Sequence, residues 1–266
     1  MRLLSGLIEE RLGIRYDEPK FDILGDRIES LLSERGVPSI LDYYYRLKYD
    51  ERGEELPFLI DALSVPETYF WREPEHFRVL VDTMVPQIVE SFPGEPLRIW
   101  CAACATGEEP LTIAMALKES GWMDRIPVEI HATDASPRAI SIAKAGLYRE
   151  RSFRQTSPER RERYFKQSGK LWKVNPCLHE RIRWDVANLM CESDIARFAA
   201  VSIIFCRNVF IYFSPAAILS TVERFARLMR DPGYLFVGIA ESLMKLTLAF
   251  RPVEISGAFF YMRNPQ

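Results

Sequence analysis

Two adjacent carboxylates and the turn that precedes them are the first residues in this sequence whose types and spacing could do chemistry. In LRIWCAACATGEEP, residues 97–110, the small residues Ala102, Ala103, Ala105 and Gly107 clear side chains away from the backbone, so that a ligand can approach it closely. Glu108 and Glu109 follow at a helix start, where the macrodipole favours their anionic form. Such a pair suits a cationic ligand better than a phosphate, which argues against NAD, ATP and a P-loop, and the G-x-G-x-x-G fingerprint is absent. Asp134, in HATDAS, closes a second apolar stretch and is suitably placed to accept hydrogen bonds from two ribose hydroxyls. With Ser136 and Pro137 behind it, helix capping is the competing reading. Cys101 and Cys104 form a CxxC, but no second CxxC or paired histidines accompany it, and His76, His131 and His179 are scattered. The two cysteines therefore read as small packing residues, and no metal site is expected.

The elements that must hold these groups follow from periodicity. From Phe21, the apolar positions Leu24, Ile28, Leu31 and Leu32 recur at helical spacing, with Pro19 near the start and Gly36 just past the end. Further helices are expected over 40–49, 55–63 and 78–91, so the first seventy residues form a small helical domain, joined through a linker helix at 71–96 to a second domain at 97–266. There, strands over 97–102, 128–133, 182–185, 201–206, 234–239, 259–263 and, more weakly, 250–255 alternate with helices over 109–119, 137–145 and 215–230. Strands separated by helices imply right-handed crossovers and a mostly parallel α/β sheet, and the short link at Gly257 implies an antiparallel edge. A ligand belongs at the carboxyl ends of the first strands, where the strand order reverses. The aromatic run Tyr69-Phe70-Trp71, between Thr68 and Arg72, is either a binding wall or a staple between the two domains.

Bulk properties narrow the class. A formal charge of -2 over 266 residues supports no global electrostatic partner, and residues 1–60 carry more Asp/Glu than Lys/Arg, which disfavours nucleic acid. No run approaches the roughly 18 apolar residues of a membrane span, and the first residues meet acid too early for a secretory segment, so a cytoplasmic protein is expected.

TYFWRE, TGEEP, ATD and IIFCRNVFIYF, with the GIAES segment containing Glu241, together resemble the CheR family of chemoreceptor glutamate O-methyltransferases along nearly the whole chain. The resemblance implies a Rossmann-like seven-stranded methyltransferase sheet, a helical N-terminal domain and an inserted β-subdomain at about 150–183. It also implies the cofactor S-adenosylmethionine, released as S-adenosylhomocysteine, and a substrate on the cytoplasmic helices of a chemoreceptor. Carried over by motif, the cofactor residues are Thr68, Arg72, Glu109, Asp134, Asn188, Leu189, Arg207 and Asn208. The family usually has Asn two residues before the threonine; here Pro66 stands there, which removes one hydrogen bond worth on the order of 1 kcal/mol if uncompensated.

Methyl transfer from a sulfonium to a glutamate needs no general base, because a carboxylate with a pKa of about 4.3 is already anionic at neutral pH. Near-attack positioning then carries the rate, an effect of up to roughly 7–11 kcal/mol. Arg72 and Tyr212 are the candidates for orienting the incoming carboxylate; the alternative for Tyr212 is a core aromatic. Between Arg149 and Arg183, eleven Lys/Arg stand against four Asp/Glu, a surplus that either steers an acidic helix bundle or forms a solvated hairpin. The loop in YFKQSGKLWKV is short beside those of family members that grip a receptor's C-terminal pentapeptide, so docking without that tether is expected. The Phe21–Arg35 helix, often basic in the family, mixes both signs here, so receptor choice is expected to differ, with a receptor-like substrate outside chemotaxis as the alternative. The competing functions are a non-catalytic cofactor-binding scaffold and a methyltransferase for a small molecule or nucleic acid.

Overall fold

The computed structural model describes residues 1–65 and 67–265. Four helices come first: α1 (Arg2–Leu12), α2 (Phe21–Arg35), α3 (Ile40–Lys48) and α4 (Leu56–Leu63). α2 ends as its sequence predicts, on Gly36 in the left-handed region. These helices share their own core, which includes Leu4, Ile8, Leu24, Ile28, Tyr43, Leu47 and Leu59.

The expected helix at 78–91 starts earlier and is not uniform. α5 (Pro74–Val79) passes through a wide turn at Leu80–Met84 into α6 (Val85–Ser91). Pro86 brings no N–H for the carbonyl four residues before it, and a widened turn is how a helix absorbs that loss.

Beyond it come β1 (Leu97–Ala102), α7 (Glu108–Glu119), α8 (Trp122–Arg125), β2 (Val128–Asp134) and α9 (Pro137–Ala145). The next run is β3 (Leu147–Tyr148), α10 (Pro158–Tyr164), β4 (Phe165–Ser168), β5 (Leu171–Val174) and α11 (Pro176–His179). The chain closes with β6 (Ile182–Val186), α12 (Glu192–Ala199), β7 (Ile203–Phe205), α13 (Pro215–Leu228), β8 (Tyr234–Phe236), β9 (Phe250–Ile255) and β10 (Ala258–Arg263).

Seven strands form one sheet in the order β6-β2-β1-β7-β8-β10-β9. Pairing is parallel from β6 to β8, and β10 and β9 add the antiparallel edge expected from the Gly257 link. Alternate side chains feed opposite faces. Ile99, Cys101, Ile203 and Phe205 join one core, and Trp100, Ala102, Ile204 and Cys206 the other. A second, three-stranded sheet, β3-β5-β4, occupies 147–174, whereas Ile182 and Arg183 belong to β6 of the main sheet. The sequence order reverses at β1, which has β2 on one side and β7 on the other, so the carboxyl end of β1 is the crevice predicted to take a ligand.

Candidate active site

At that crevice the chain turns sharply from β1 into α7. Cys104 donates its N–H to Thr133 O (2.9 Å), and Ala105 N donates to Asp134 Oδ2 (2.9 Å) with Ala105 itself at φ 46°. Gly107 sits at φ 96°, where a Cβ would come within 2.9 Å of the Trp184 ring and 3.0 Å of Tyr148 Oη, so only glycine fits. Asp134 fastens this turn and does not cap α9, since the cap is Ser136, whose hydroxyl accepts from Ala139 N. Its other oxygen accepts from Ser136 N (2.9 Å). Both oxygens are thus held by backbone amides.

The two adjacent carboxylates have different tasks. Only Glu109 lines the cavity, whereas Glu108 is buried and accepts from Thr106 Oγ1 (2.7 Å) and Ser152 Oγ (2.9 Å). Glu108 thus ties the turn to the inserted segment, and the expectation of two acids facing one cation is corrected to a single acid. Burial pushes both carboxyls above the usual range; for Glu109 the Arg207 guanidinium, 2.9 Å away, pulls back down.

Arg207 follows β7 with its side chain almost wholly buried. It pairs with Glu109 and, at 3.1 Å, with Glu73, and donates to Arg72 O (2.7 Å). Glu73, at φ 58°, is the acid that sequence reasoning passed over; it is the last residue of TYFWRE and in plain view there. Phe70 and Trp71 do staple, but onto the sheet domain. Phe70 packs against Tyr148, Phe153 and Phe165, and Trp71 packs against Phe77 beneath the Arg160 guanidinium. Tyr69 alone faces the cavity, with Arg154 3.6 Å from its ring centroid.

The eight cofactor residues carried over by motif, Thr68, Arg72, Glu109, Asp134, Asn188, Leu189, Arg207 and Asn208, and the orienting candidate Tyr212 line one cavity of ≈ 380 Å³. Asn188 has its side chain engaged, with Nδ2 donating to Arg11 O and Oδ1 accepting from Met190 N. Arg72 Nη1 donates to Glu67 O (3.2 Å). Tyr212 is 39% exposed at the cavity rim, so the core-aromatic alternative fails. Pro66 lies outside the described residues. Cys101 and Cys104 are buried free thiols, and burial pushes both well above the usual thiol range, as packing residues require.

Residues 1–64 match the family model described as CheR methyltransferase, all-alpha domain, and residues 66–259 match CheR methyltransferase, SAM binding domain. The chain belongs to the CheR methyltransferase family. It is 32% identical to chemotaxis protein methyltransferase 1 of Pseudomonas aeruginosa, over 97% of this chain and 96% of that one. It is 30% identical to chemotaxis protein methyltransferase 2 of Vibrio cholerae, over 91% and 84%. A probable biofilm formation methyltransferase WspC of Pseudomonas putida is 29% identical, over 97% of this chain and 60% of that one.

As a CheR-family methyltransferase the chain uses S-adenosylmethionine, and the site fits such a group. Asp134 offers carboxylate oxygens that can accept from hydroxyls and Glu109 an acid that can face a cation, at one cavity also lined by alanine and leucine side chains. Part of this CheR site escaped sequence reading: Arg15, Tyr16, Lys20, Ile23 and Arg27, from the helical domain, line the same cavity. Ile23 and Arg27 of α2, with Lys20 at its N-cap, recur at helical spacing, which is the signal that would have found these three. Among the described residues no helix is long and apolar enough to cross a membrane.

Proposed function

We propose that this chain transfers the methyl group of S-adenosylmethionine to glutamate side chains on the cytoplasmic helical domain of a chemoreceptor, forming methyl esters. The observation that carries this reading is the division of charge within the cavity. Glu109, in the first turn of α7 and paired with Arg207, and Asp134, at the end of β2, come from the sheet domain, while Arg15, Lys20 and Arg27 come from the helical domain, and Arg72 and Tyr212 line the same cavity. The acidic side suits a cationic cofactor, and the basic side suits an anionic nucleophile. The printed names of the chemotaxis relatives support the same substrate class.

When bound, the cofactor supplies an electrophilic methyl on a positive sulfur. On this reading Asp134 accepts from the ribose, Glu109 faces the cationic part, and Thr68, Asn188, Leu189 and Asn208 complete the cofactor wall. Arg207 holds Glu109 in place. Arg72 and Tyr212 orient the substrate carboxylate, which attacks without a base because it is already ionised. The chain divides into a helical domain over about 1–70, a linker helix over 71–96 and the methyltransferase domain over 97–266, and it works in the cytoplasm.

We infer that docking does not use a C-terminal pentapeptide tether, because the β4–β5 hairpin turns on only Gly169 and Lys170. Tight calorimetric binding of the receptor pentapeptide would refute this. A second reading, a receptor-like substrate outside chemotaxis, is supported by the likeness to WspC.

The test is incubation with methyl-labelled cofactor and purified receptor cytoplasmic fragments. Base-labile methanol release from the receptor is expected. Label that stays on the protein in base, or no label at all, overturns the assignment.

A further inference from the structure

We propose that Glu241 is the positioning residue that sets Arg207, Asn208 and Tyr212 against the cavity. The proposal rests on the functional reading above and deepens it. Glu241 is buried and does not itself line the cavity.

The need for it arises where β7 and β8 end. The last ladder bond between them runs from Cys206 N to Phe236 O (2.9 Å), after which both chains leave the sheet and their amides lose their strand partners. One carboxylate collects three of them. Glu241 Oε2 accepts from Gly238 N (2.6 Å) and Asn208 N (2.8 Å), and Oε1 accepts from Ile211 N (3.2 Å). Burial raises the Glu241 carboxyl, and the backbone donors pull it back toward the ionised form that can accept all three.

Two independent features are fitted to this arrangement. Asn208 is left-handed at φ 60°, a conformation that asparagine tolerates better than most side chains. Its Nδ2 stands 2.3 Å from where a Cβ on residue 238 would be, so only Gly238 leaves room for it. Carboxylate, glycine and left-handed asparagine together fix the loop that carries Arg207, Asn208 and Tyr212. An amide at position 241 could not replace the acid: its NH2 would face backbone N–H groups, so at least one bond becomes a donor–donor contact.

The experiment compares full-length wild type with Glu241→Gln, Glu241→Asp and Gly238→Ala. For each, calorimetry gives S-adenosylhomocysteine affinity, kinetics on a receptor cytoplasmic fragment give kcat and KM well below melting, and a thermal scan reports folding. In Glu241→Gln, kcat and S-adenosylhomocysteine affinity are each expected to fall by at least about tenfold in folded protein. Glu241→Asp, which keeps the charge, is expected to recover part of both. Gly238→Ala, pushing the same loop from the other side, is expected to reproduce the loss, and it tests the proposal even if Glu241→Gln does not fold. Wild-type kcat and affinity in folded Glu241→Gln or Gly238→Ala, whatever the melting temperature, would overturn the positioning role. If wild type methylates no receptor fragment, the functional reading fails, while the affinity series still tests how Glu241 sets the cofactor side of the site.

Discussion

Arg207 is a single buried cation shared by two largely covered carboxylates, Glu109 and Glu73. Removing one partner of a buried ion pair leaves an uncompensated charge, so Arg207→Gln is expected to destabilise by about 3–5 kcal/mol, with Glu73→Gln added in the same chain restoring part of it. Denaturant unfolding of the single and double variants checks this. Asp134→Asn replaces an oxygen that Ala105 or Ser136 donates to, and is expected to weaken S-adenosylhomocysteine binding by about 10–100-fold in a calorimetric titration. Beside Glu73, His76 is buried with Nε2 2.9 Å from Phe259 O; burial, then Arg207, lowers its pKa to about 4. Between about pH 6.5 and 4 the unfolded chain binds the proton that the folded chain refuses. Stability from this group is therefore complete above pH 6.5 and is lost as pH falls toward 4, a swing on the order of 3 kcal/mol. Unfolding free energies measured across that window should show the slope, and His76→Phe should flatten it. At this scale the sequence was readable where a motif names a single residue, as with Glu109 and Asp134. It was silent on partners such as Glu73 and Glu241, which become partners only when the fold brings distant segments together.

The helical domain is fastened to the active-site loop by a short clip. Arg15 N donates to Tyr212 O (2.8 Å), Ser214 N donates to Gly13 O (2.9 Å), and Ile14 bridges Phe213. Tyr212 is thus gripped by α1's trailing residues on one side, while Glu241 holds its loop on the other. Gly13 makes the clip possible, since it sits at φ 74° and a Cβ there would lie 2.9 Å from Met190 Sδ and 3.0 Å from the Phe213 ring. Gly13→Ala is expected to cost about 1–3 kcal/mol of stability and to lower kcat, checked by melting and by turnover on receptor fragment. Regular elements were legible because their patterns are strong: α9 begins on Pro137 and ends on Ala145, where its punctuation places it. β8 is shorter than its apolar run, stopping at Phe236, because Glu241 takes the Gly238 amide out of the ladder. α12 shows only Ile195, Phe198 and Ala199 as buried apolar positions, too few in eight residues to stand out.

At the scale of the whole molecule, the cavity is lined from both parts of the chain: residues 97–266 bring Glu109, Asp134 and Arg207, and residues 1–70 bring Arg15, Lys20, Arg27 and Glu67. The mixed charge of the Phe21–Arg35 helix, which masked its role, sorts in space: Lys20 and Arg27 line the cavity and Asp22, Asp26, Glu29 and Glu34 do not. If the basic surplus of residues 149–183 steers an acidic receptor, KM for receptor rises with ionic strength while the melting temperature changes little, and steady-state rates across a salt series measure both. The identity of the atom that is methylated decides the function. Tandem mass spectrometry of a receptor cytoplasmic fragment, after incubation with this chain and S-adenosylmethionine, tests it most directly. Methyl groups on glutamate carboxyls, absent when Asp134→Asn replaces wild type at limiting cofactor, are the predicted result. Methylation confined to lysine, arginine or the fragment's termini would contradict it.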